Sequence, residues 1–435
     1  MKTSALIGYK TASDLVGKLC FFLIVVYAAR LLPTRAFGLF SLATTLGWML
    51  SVASDFGLQL HLARAVSRRP DAAGPIVRRL LRPRLALAAA AVAAAGPATL
   101  LLAPGPDAWP FFLLVLAQIV SSLAEFLNHF YRGLSRSDVE ASLNLAQRVV
   151  TLAAVGLLLA VWPALAALAA ALVAPAIAVL VTSAVLAARL SAHATTAATW
   201  PDAPRAGRLA ADVWPIGAGI VLSALYFRLD LFFVEFWRGV EAVALYNAVF
   251  RLVEALRLFP AAVLAVVFPL LCRARTWRPL TRVAGGLFAA GALAALTLAW
   301  PAGWLVELFY GDAYAGAVPA FRVLLMAVPL FFLNYALTHQ LIGWNAERAY
   351  AHVSAAALAA NVLLNVALVP RAGIVGASWA TLVTEIVVTA GCVLALARAS
   401  VVTRPEPRGP VVAAAGPWKP GTGRVRRGEM AVRHD

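Results

Sequence analysis

The residues of this chain best suited to chemistry are charged side chains set inside apolar stretches: Lys18; Glu125, His129 and Arg132; Arg148; Arg228 and Asp230; Arg251, Glu254 and Arg257; and Glu385. A charge at the middle of a membrane helix costs about 2.5 to 3.5 kcal/mol on the insertion scale, so it faces a bundle interior or water. Spacing groups these residues. Lys10, Asp14 and Lys18 follow i, i+4, i+8; Glu125, His129 and Arg132 follow i, i+4, i+7; Arg251, Glu254 and Arg257 step by three. Each set makes a polar stripe down one helix face. Bases outnumber acids, which points to binding of an anion.

Within a stripe an acid can neutralise a neighbouring base. Glu254 can pair with Arg251 or Arg257, and His129 with Glu125, as structural or coupling groups. Arg148 has no acid on its own span and is the best candidate for a cation kept to meet an anionic substrate. Arg228 and Asp230 are two apart, do not share a helix face and cannot simply pair. Asp230 is expected to bond to another helix, as a structural latch or a protonatable coupling group. Asn144, Asn334, Gln340, Asn361 and Asn365 could read sugar hydroxyls or hold helices together.

The elements that must position these groups are membrane helices. Of 435 residues, 62% are hydrophobic and 13% charged, against about 25% charged in soluble domains. Apolar runs near 12–32, 36–60, 85–103, 110–131, 142–162, 165–188, 213–234, 242–271, 284–308, 319–343, 350–369 and 375–397 are each long enough to cross a bilayer. The fold class is therefore all-α integral membrane, with about twelve transmembrane helices. The breaks at Leu32-Pro33-Thr34-Arg35 and Trp162-Pro163 are tight hairpins.

A polar connection at 190–212 divides the spans evenly. The expected organisation is a six-helix lobe at 1–189, a cytoplasmic linker at 190–212, a second six-helix lobe at 213–398 and a disordered basic tail at 399–435, with a central cavity between the lobes.

The net charge of +17 would raise the question of nucleic acid in a soluble chain. Here most of it falls in the tail and in two connections, 61–84 and 273–282. Lys2, Lys10, Arg64, Arg68, Arg69, Arg78, Arg79, Arg82, Arg84, Arg136, Arg205, Arg208, Arg273, Arg275, Arg278, Arg282 and Arg348 fall on one side. Little more than Arg35, Arg238 and Arg371 falls on the other. The positive-inside rule makes the first side, and both termini, cytoplasmic. The charges then record topology and contact with anionic lipids at the cytoplasmic loops, and no nucleic acid is implied.

Cys20, Cys272 and Cys392 have no metal-ligand or redox spacing and are expected as small buried hydrophobes. No P-loop, G-x-S-x-G, H-E-x-x-H or acidic metal cluster occurs. A membrane glycosyltransferase or polysaccharide polymerase is disfavoured by short outer connections, the longest near 309–318 carrying only Asp312. No enzyme activity and no cofactor are expected.

Over about residues 1–400 the chain resembles the multidrug/oligosaccharidyl-lipid/polysaccharide exporter superfamily, and within it the polysaccharide (O-antigen type) flippase branch. The resemblance rests on Ala29-Arg30-Leu31-Leu32-Pro33, Phe37-Gly38-Leu39-Phe40 and Asp55-Phe56-Gly57-Leu58. To these it adds Arg228-Leu229-Asp230, Leu245-Tyr246-Asn247-Ala248, Phe259-Pro260, Phe268-Pro269, Phe309 to Tyr314, and Asn365 to Pro370 with Gly373 and Gly376-Ala377. It implies a bacterial inner-membrane flippase of an undecaprenyl-pyrophosphate-linked oligosaccharide. Such a flippase would work by alternating access, be driven by an ion gradient or the membrane potential, and serve surface polysaccharide synthesis. A polysaccharide polymerase and chain-length machinery are candidate partners. Arg148, Arg251, Lys18 and Arg228 are the expected head-group contacts, and Asp230 and Glu254 the expected coupling groups. The rival is a multidrug exporter of the same superfamily, whose cationic substrates a surplus of arginine would repel.

Overall fold

A computed structural model describes residues 3–192, 206–273 and 277–401, and among them every regular element is helical. The first half comprises α1 (Thr3–Leu31), α2 (Thr34–Asp55), α3 (Leu58–Arg68), α4 (Ala73–Leu102), α5 (Ala108–Gly133), α6 (Ser137–Val161) and α7 (Leu165–Ala192). The second comprises α8 (Ala206–Arg228), α9 (Asp230–Arg238), α10 (Val240–Leu256), α11 (Leu258–Arg273), α12 (Trp277–Ala299), α13 (Ala302–Tyr310), α14 (Val318–Gly343) and α15 (Glu347–Val401).

Eleven stretches are long and apolar enough to cross a membrane, the last of them 52 residues long. One crossing needs about 20. Gly373, at φ 55 and ψ −133, bends α15 in two and restores the twelfth crossing. The fold is that of an all-α membrane transporter. The centre of the expected linker, 193–205, and the tail beyond 401 lie outside the described residues, as do Arg205 and Arg275.

Local chemistry sets the turns. Pro33, extended at φ −53 and ψ 145, cannot continue α1 and starts α2. Phe56 and Gly57, both left-handed at φ 44 and φ 81, turn the chain from α2 into α3. The basic segment 61–84, expected as a connection, is instead helical through most of its length. Leu58, Leu62 and Val66 bury one face of α3 while Arg64 and Arg68 stay exposed. Such a helix is amphipathic, so its mean hydropathy conceals it.

Span 9 is broken at Trp300-Pro301, between α12 and α13. Between α8 and α9 and between α10 and α11 the chain stays helical, with Leu229 (φ −66, ψ −23) and Arg257 (φ −66, ψ −8) both right-handed, so each of spans 7 and 8 crosses as one continuous helix.

Packing follows the halves of the chain. In the first, α1 lies along α6, and α5 along α2, α3, α4 and α7; in the second, α15 lies along α8, α9 and α14, and α14 along α12 and α11. The halves meet chiefly where α2 packs on α10. That seam is tight because Gly38 has no side chain: a methyl group there would collide with the Val240 carbonyl oxygen. The hairpin side is closed further by Phe37 edge-on to Tyr314, with ring centroids 6.0 Å apart. The Arg30 guanidinium donates from Nε to the Phe309 carbonyl at 2.9 Å and also to that of Leu308. At the opposite, basic face the halves are joined along one flank, where the α2–α3 turn lies so close to α8 that a methyl group at Gly217 would collide with the Phe56 carbonyl oxygen, and where Phe56 meets Trp214 (5.5 Å) and Arg64 pairs with Glu347 (3.9 Å).

Candidate functional site

Between the halves lies a cavity of about 1230 Å³, lined from α1, α2, α3, α5, α6, α8, α10, α11, α14 and α15. That exceeds the roughly 300 to 1,000 Å³ of a typical small-ligand pocket. It occupies the half of the bundle toward the basic face and ends at the α2–α10 seam.

At its closed end is a smaller chamber of about 200 Å³, lined by Phe21, Thr44, Thr45, Trp48, Gln118, Arg148, Phe227, Arg228, Arg251 and Glu254. Three arginines, two from the second half and one from the first, thus line one chamber, and two of them share one carboxylate. Arg228 and Arg251 both donate to Glu254 Oε2, each at 2.7 Å. Arg228 is 3% exposed and also donates to Asn247 Oδ1 at 3.1 Å.

Arg148 makes no hydrogen bond or ion pair within the described residues. Its guanidinium lies 5.5 Å from the Phe21 ring centroid, and Arg251 lies 5.2 Å from the same ring. Arginines of the two halves are therefore held on one aromatic side chain, an arrangement that stabilises a cation while leaving its N–H donors free. α6 does carry acids, Asp138 and Glu140, but Arg136 takes the first and Lys10 and Arg132 take the second.

Lys18 is exposed on the wall of the large cavity, with no carboxylate within 4 Å among the described residues. Arg257 lines the same cavity but forms no ion pair. Contrary to the expectation that Glu254 could neutralise it, Arg257 stacks on Phe227 (4.3 Å) and Phe331 (5.3 Å).

The remaining charged positions form latches. Glu140, its side chain fully buried, accepts from Lys10 Nζ at 2.5 Å and from Arg132 Nε at 2.8 Å, tying α1, α5 and α6 together. Arg132 also reaches Glu125 at 3.4 Å and donates to His129 Nε2 at 3.0 Å. That leaves His129 Nδ1 to donate to the Glu125 carbonyl at 3.0 Å, the pattern of a neutral ring.

Asp230 stays apart from Arg228 in bonding. It accepts from the Tyr246 hydroxyl, from Leu231 N–H at 2.9 Å and from Thr381 at 3.5 Å, joining α9, α10 and α15. Glu385 accepts from Asn334 Nδ2 at 2.7 Å, and Asn365 donates to the Asn361 side chain at 3.1 Å. Asn334, Asn361 and Asn365 thus bond to protein partners away from the cavity, while Asn144 lines it.

Two features escaped sequence reasoning. Arg84, assigned there to the basic connection 61–84, is 0% exposed; it donates to Ser54 at 3.0 Å and Ser122 at 2.7 Å and lies 3.6 Å from Asp55. Asp55 entered only through the Asp55-Phe56-Gly57-Leu58 motif of the family resemblance, yet it lines the cavity. Among the cysteines, Cys20 and Cys392 are buried as expected, but Cys272 is exposed. No group of three or more His, Cys, Asp or Glu side chains among the described residues could hold a metal ion.

The family model described as polysaccharide biosynthesis protein matches residues 6–275. No curated protein matches the chain. Among solved structures, a multidrug resistance MATE family transporter of the MOP superfamily, in its inward-facing conformation, aligns with TM-score 0.66 at 13% identity, covering 88% of this chain and 94% of that one. A MOP superfamily transporter from Pyrococcus furiosus, whose reversed binding-pocket polarity is said to suggest a different function, aligns with TM-score 0.64 at 14% identity, covering 92% and 96%. The lipid II flippase MurJ, in an inward closed conformation, aligns with TM-score 0.54 at 12% identity, covering 89% and 87%. At these identities the likeness is one of fold.

Proposed function

Because the chain belongs to the polysaccharide biosynthesis protein family, we propose that it flips an undecaprenyl-pyrophosphate-linked oligosaccharide from the cytoplasmic to the periplasmic leaflet of a bacterial inner membrane. The observation that carries this reading is the cluster of Arg148, Arg228 and Arg251 at the closed end of a cavity between the halves of the chain. A diphosphate cannot cross hydrocarbon unaided. Guanidinium groups offer it charge-assisted, bidentate hydrogen bonds, while surrounding protein excludes water. The cationic end also disfavours the rival, an exporter of cationic drugs.

With the basic face cytoplasmic, the cavity faces the leaflet in which lipid-linked units are assembled, and the α2–α10 seam seals the periplasmic side. Leu15 and Leu19 of α1 line the cavity and are themselves 58% and 54% exposed, which gives the polyprenyl chain an apolar edge along which to remain in lipid. Transport then requires the halves to part at the seam and close at the basic face, driven by an ion gradient or the membrane potential. This is transport rather than catalysis: no bond of the substrate is made or broken.

The test is reconstitution in proteoliposomes with a lipid-pyrophosphate-linked oligosaccharide and a leaflet-specific probe of the sugar. A charge-assisted hydrogen bond contributes about 1.5 to 3 kcal/mol, so Arg148→Ala and Arg251→Ala are each expected to slow flipping about 10- to 100-fold. Normal flipping by both variants would overturn the head-group assignment. In cells lacking the protein, lipid-linked units that reach the periplasm but fail to join would point to a polymerase instead.

A further inference from the structure

The charges at the cavity wall fall into sets that balance and one that does not. On the side of α1, α5 and α6, Asp14 lies 3.8 Å from Lys10 and Glu125 lies 3.4 Å from Arg132, and both bases also hold the buried Glu140. With Lys18, which lines the cavity beside them, bases and acids there are equal in number. Asp55 is matched by Arg84 at 3.6 Å. The remaining set is Arg148, Arg228, Arg251 and Arg257 against Glu254 alone.

That set has three positive charges in excess. A diphosphate joined to lipid at one end and to sugar at the other carries one negative charge on each phosphoryl group. Seated in the narrow chamber, where the Thr45 hydroxyl and Arg251 Nε are buried without a hydrogen-bond partner, it leaves one cation unmatched. The cation outside that chamber is Arg257, which lines only the wide part of the cavity. Glu254 does not reach it, because Glu254 Oε2 takes Arg228 and Arg251. Glu385, 4% exposed and held by Asn334, forms no ion pair with it and does not line the cavity. Phe227 and Phe331 support the guanidinium through their rings and leave its N–H donors to a ligand. Once the basic face closes and water is excluded, an unmatched guanidinium there is costly unless the cargo brings an anion to it.

Arg257 follows Arg251 by six residues on a continuous helix, about 9 Å nearer the basic face. Tyr226, Tyr335 and Tyr350 line the same cavity and offer ring faces to pyranose C–H groups. We propose that Arg257 is a second anion subsite, which takes the carboxylate of an acidic sugar placed within the first two sugars after the diphosphate. The proposal rests on the flippase reading above and assigns its substrate class.

The test compares two lipid-pyrophosphate-linked oligosaccharides of equal length in proteoliposomes of the full-length protein, under identical ionic conditions. One is built of neutral hexoses and N-acetylhexosamines; the other carries a uronic acid as its second sugar. The acidic unit is expected to flip about tenfold faster. Arg257→Gln, which keeps hydrogen-bond donors and removes the charge, is expected to abolish that advantage and to leave the neutral unit's rate within about twofold of native. Equal rates for the two units on the native protein, or a faster neutral one, would overturn the proposal and leave the flippase reading standing. Equal slowing of both units by Arg257→Gln would overturn it as well, since that is the mark of a structural role. If neither unit flips, the flippase reading falls and this proposal with it. Should the variant fail to fold, the ratio measured for the native protein decides alone.

Discussion

Asn247 on α10 donates from Nδ2 to the Ser41 hydroxyl on α2 at 2.8 Å, across the seam that joins the two halves of the chain. The same Asn247 accepts from Arg228, whose guanidinium also holds Glu254. A continuous line of hydrogen bonds therefore runs from the arginine cluster to the seal. On the flippase reading, an anion that draws Arg228 toward itself is expected to pull on the residue that fastens the seam and so to couple occupancy of the site to opening.

Asn247→Leu is accordingly expected to loosen the seam. Asn247 and Ser41 are both buried, and leaving such partners unpaired costs about 1 to 3 kcal/mol each. With Cys20, Cys272 and Cys392 replaced, a cysteine introduced by Ala43→Cys should react faster with a membrane-impermeant maleimide from the hairpin side in the Asn247→Leu background. Ser41→Ala, which keeps the Arg228–Asn247 bond, should act in the same direction more weakly. Unchanged labelling in both would mean that the seam is held by Gly38 and its apolar neighbours alone.

Glu254 is the counter-charge that an anionic ligand must share or displace. Its side chain is about one third exposed (34%), so removing its charge should destabilise the protein by about 1 to 3 kcal/mol, less than for a fully buried pair. In Glu254→Gln, Arg228 and Arg251 are left facing one another without a carboxylate. Inorganic pyrophosphate should then bind about tenfold more tightly than to the native protein. Thermal unfolding in detergent with and without pyrophosphate measures both effects. A ligand-induced Tm shift no larger than that of the native protein would show that Glu254 does not compete with anions.

The number of crossings was legible because each needs about twenty apolar residues, and hydropathy counts these directly. The break at Trp300-Pro301 was not, since apolar residues on both sides make span 9 read as continuous. Arg148 stood out because its own span lacks an acid, whereas Asp55 did not, because it is the last residue of α2, beside the turn at Phe56 and Gly57. The pairs Lys10–Asp14 and Glu125–Arg132 lie along single helices, where spacing shows them, whereas Asp55–Arg84 joins α2 to α4, and residue spacing along one helix carries no such information. Arg84 marks the same limit. In sequence it is the last of a row of arginines, and only the fold separates it from Arg82, which is exposed two residues earlier.

Arg84 therefore gives a test in which burial rather than topology decides the outcome. It is fully buried among Asp55, Ser54 and Ser122, so Arg84→Met leaves the carboxylate without its counter-charge and two hydroxyls without their donor. Breaking a buried pair from one side costs about 3 to 5 kcal/mol. If Arg84 were a surface charge that recorded topology alone, the change would lie within about 0.5 kcal/mol. The double variant Arg84→Met, Asp55→Asn removes both charges and should recover at least half of the loss, because an amide is far less costly to bury than an unpaired carboxylate. Unfolding free energies for the four proteins of this cycle isolate the pairwise contribution. A small loss for Arg84→Met, or no recovery in the double variant, would mean that Arg84 does not anchor Asp55 at the cavity wall.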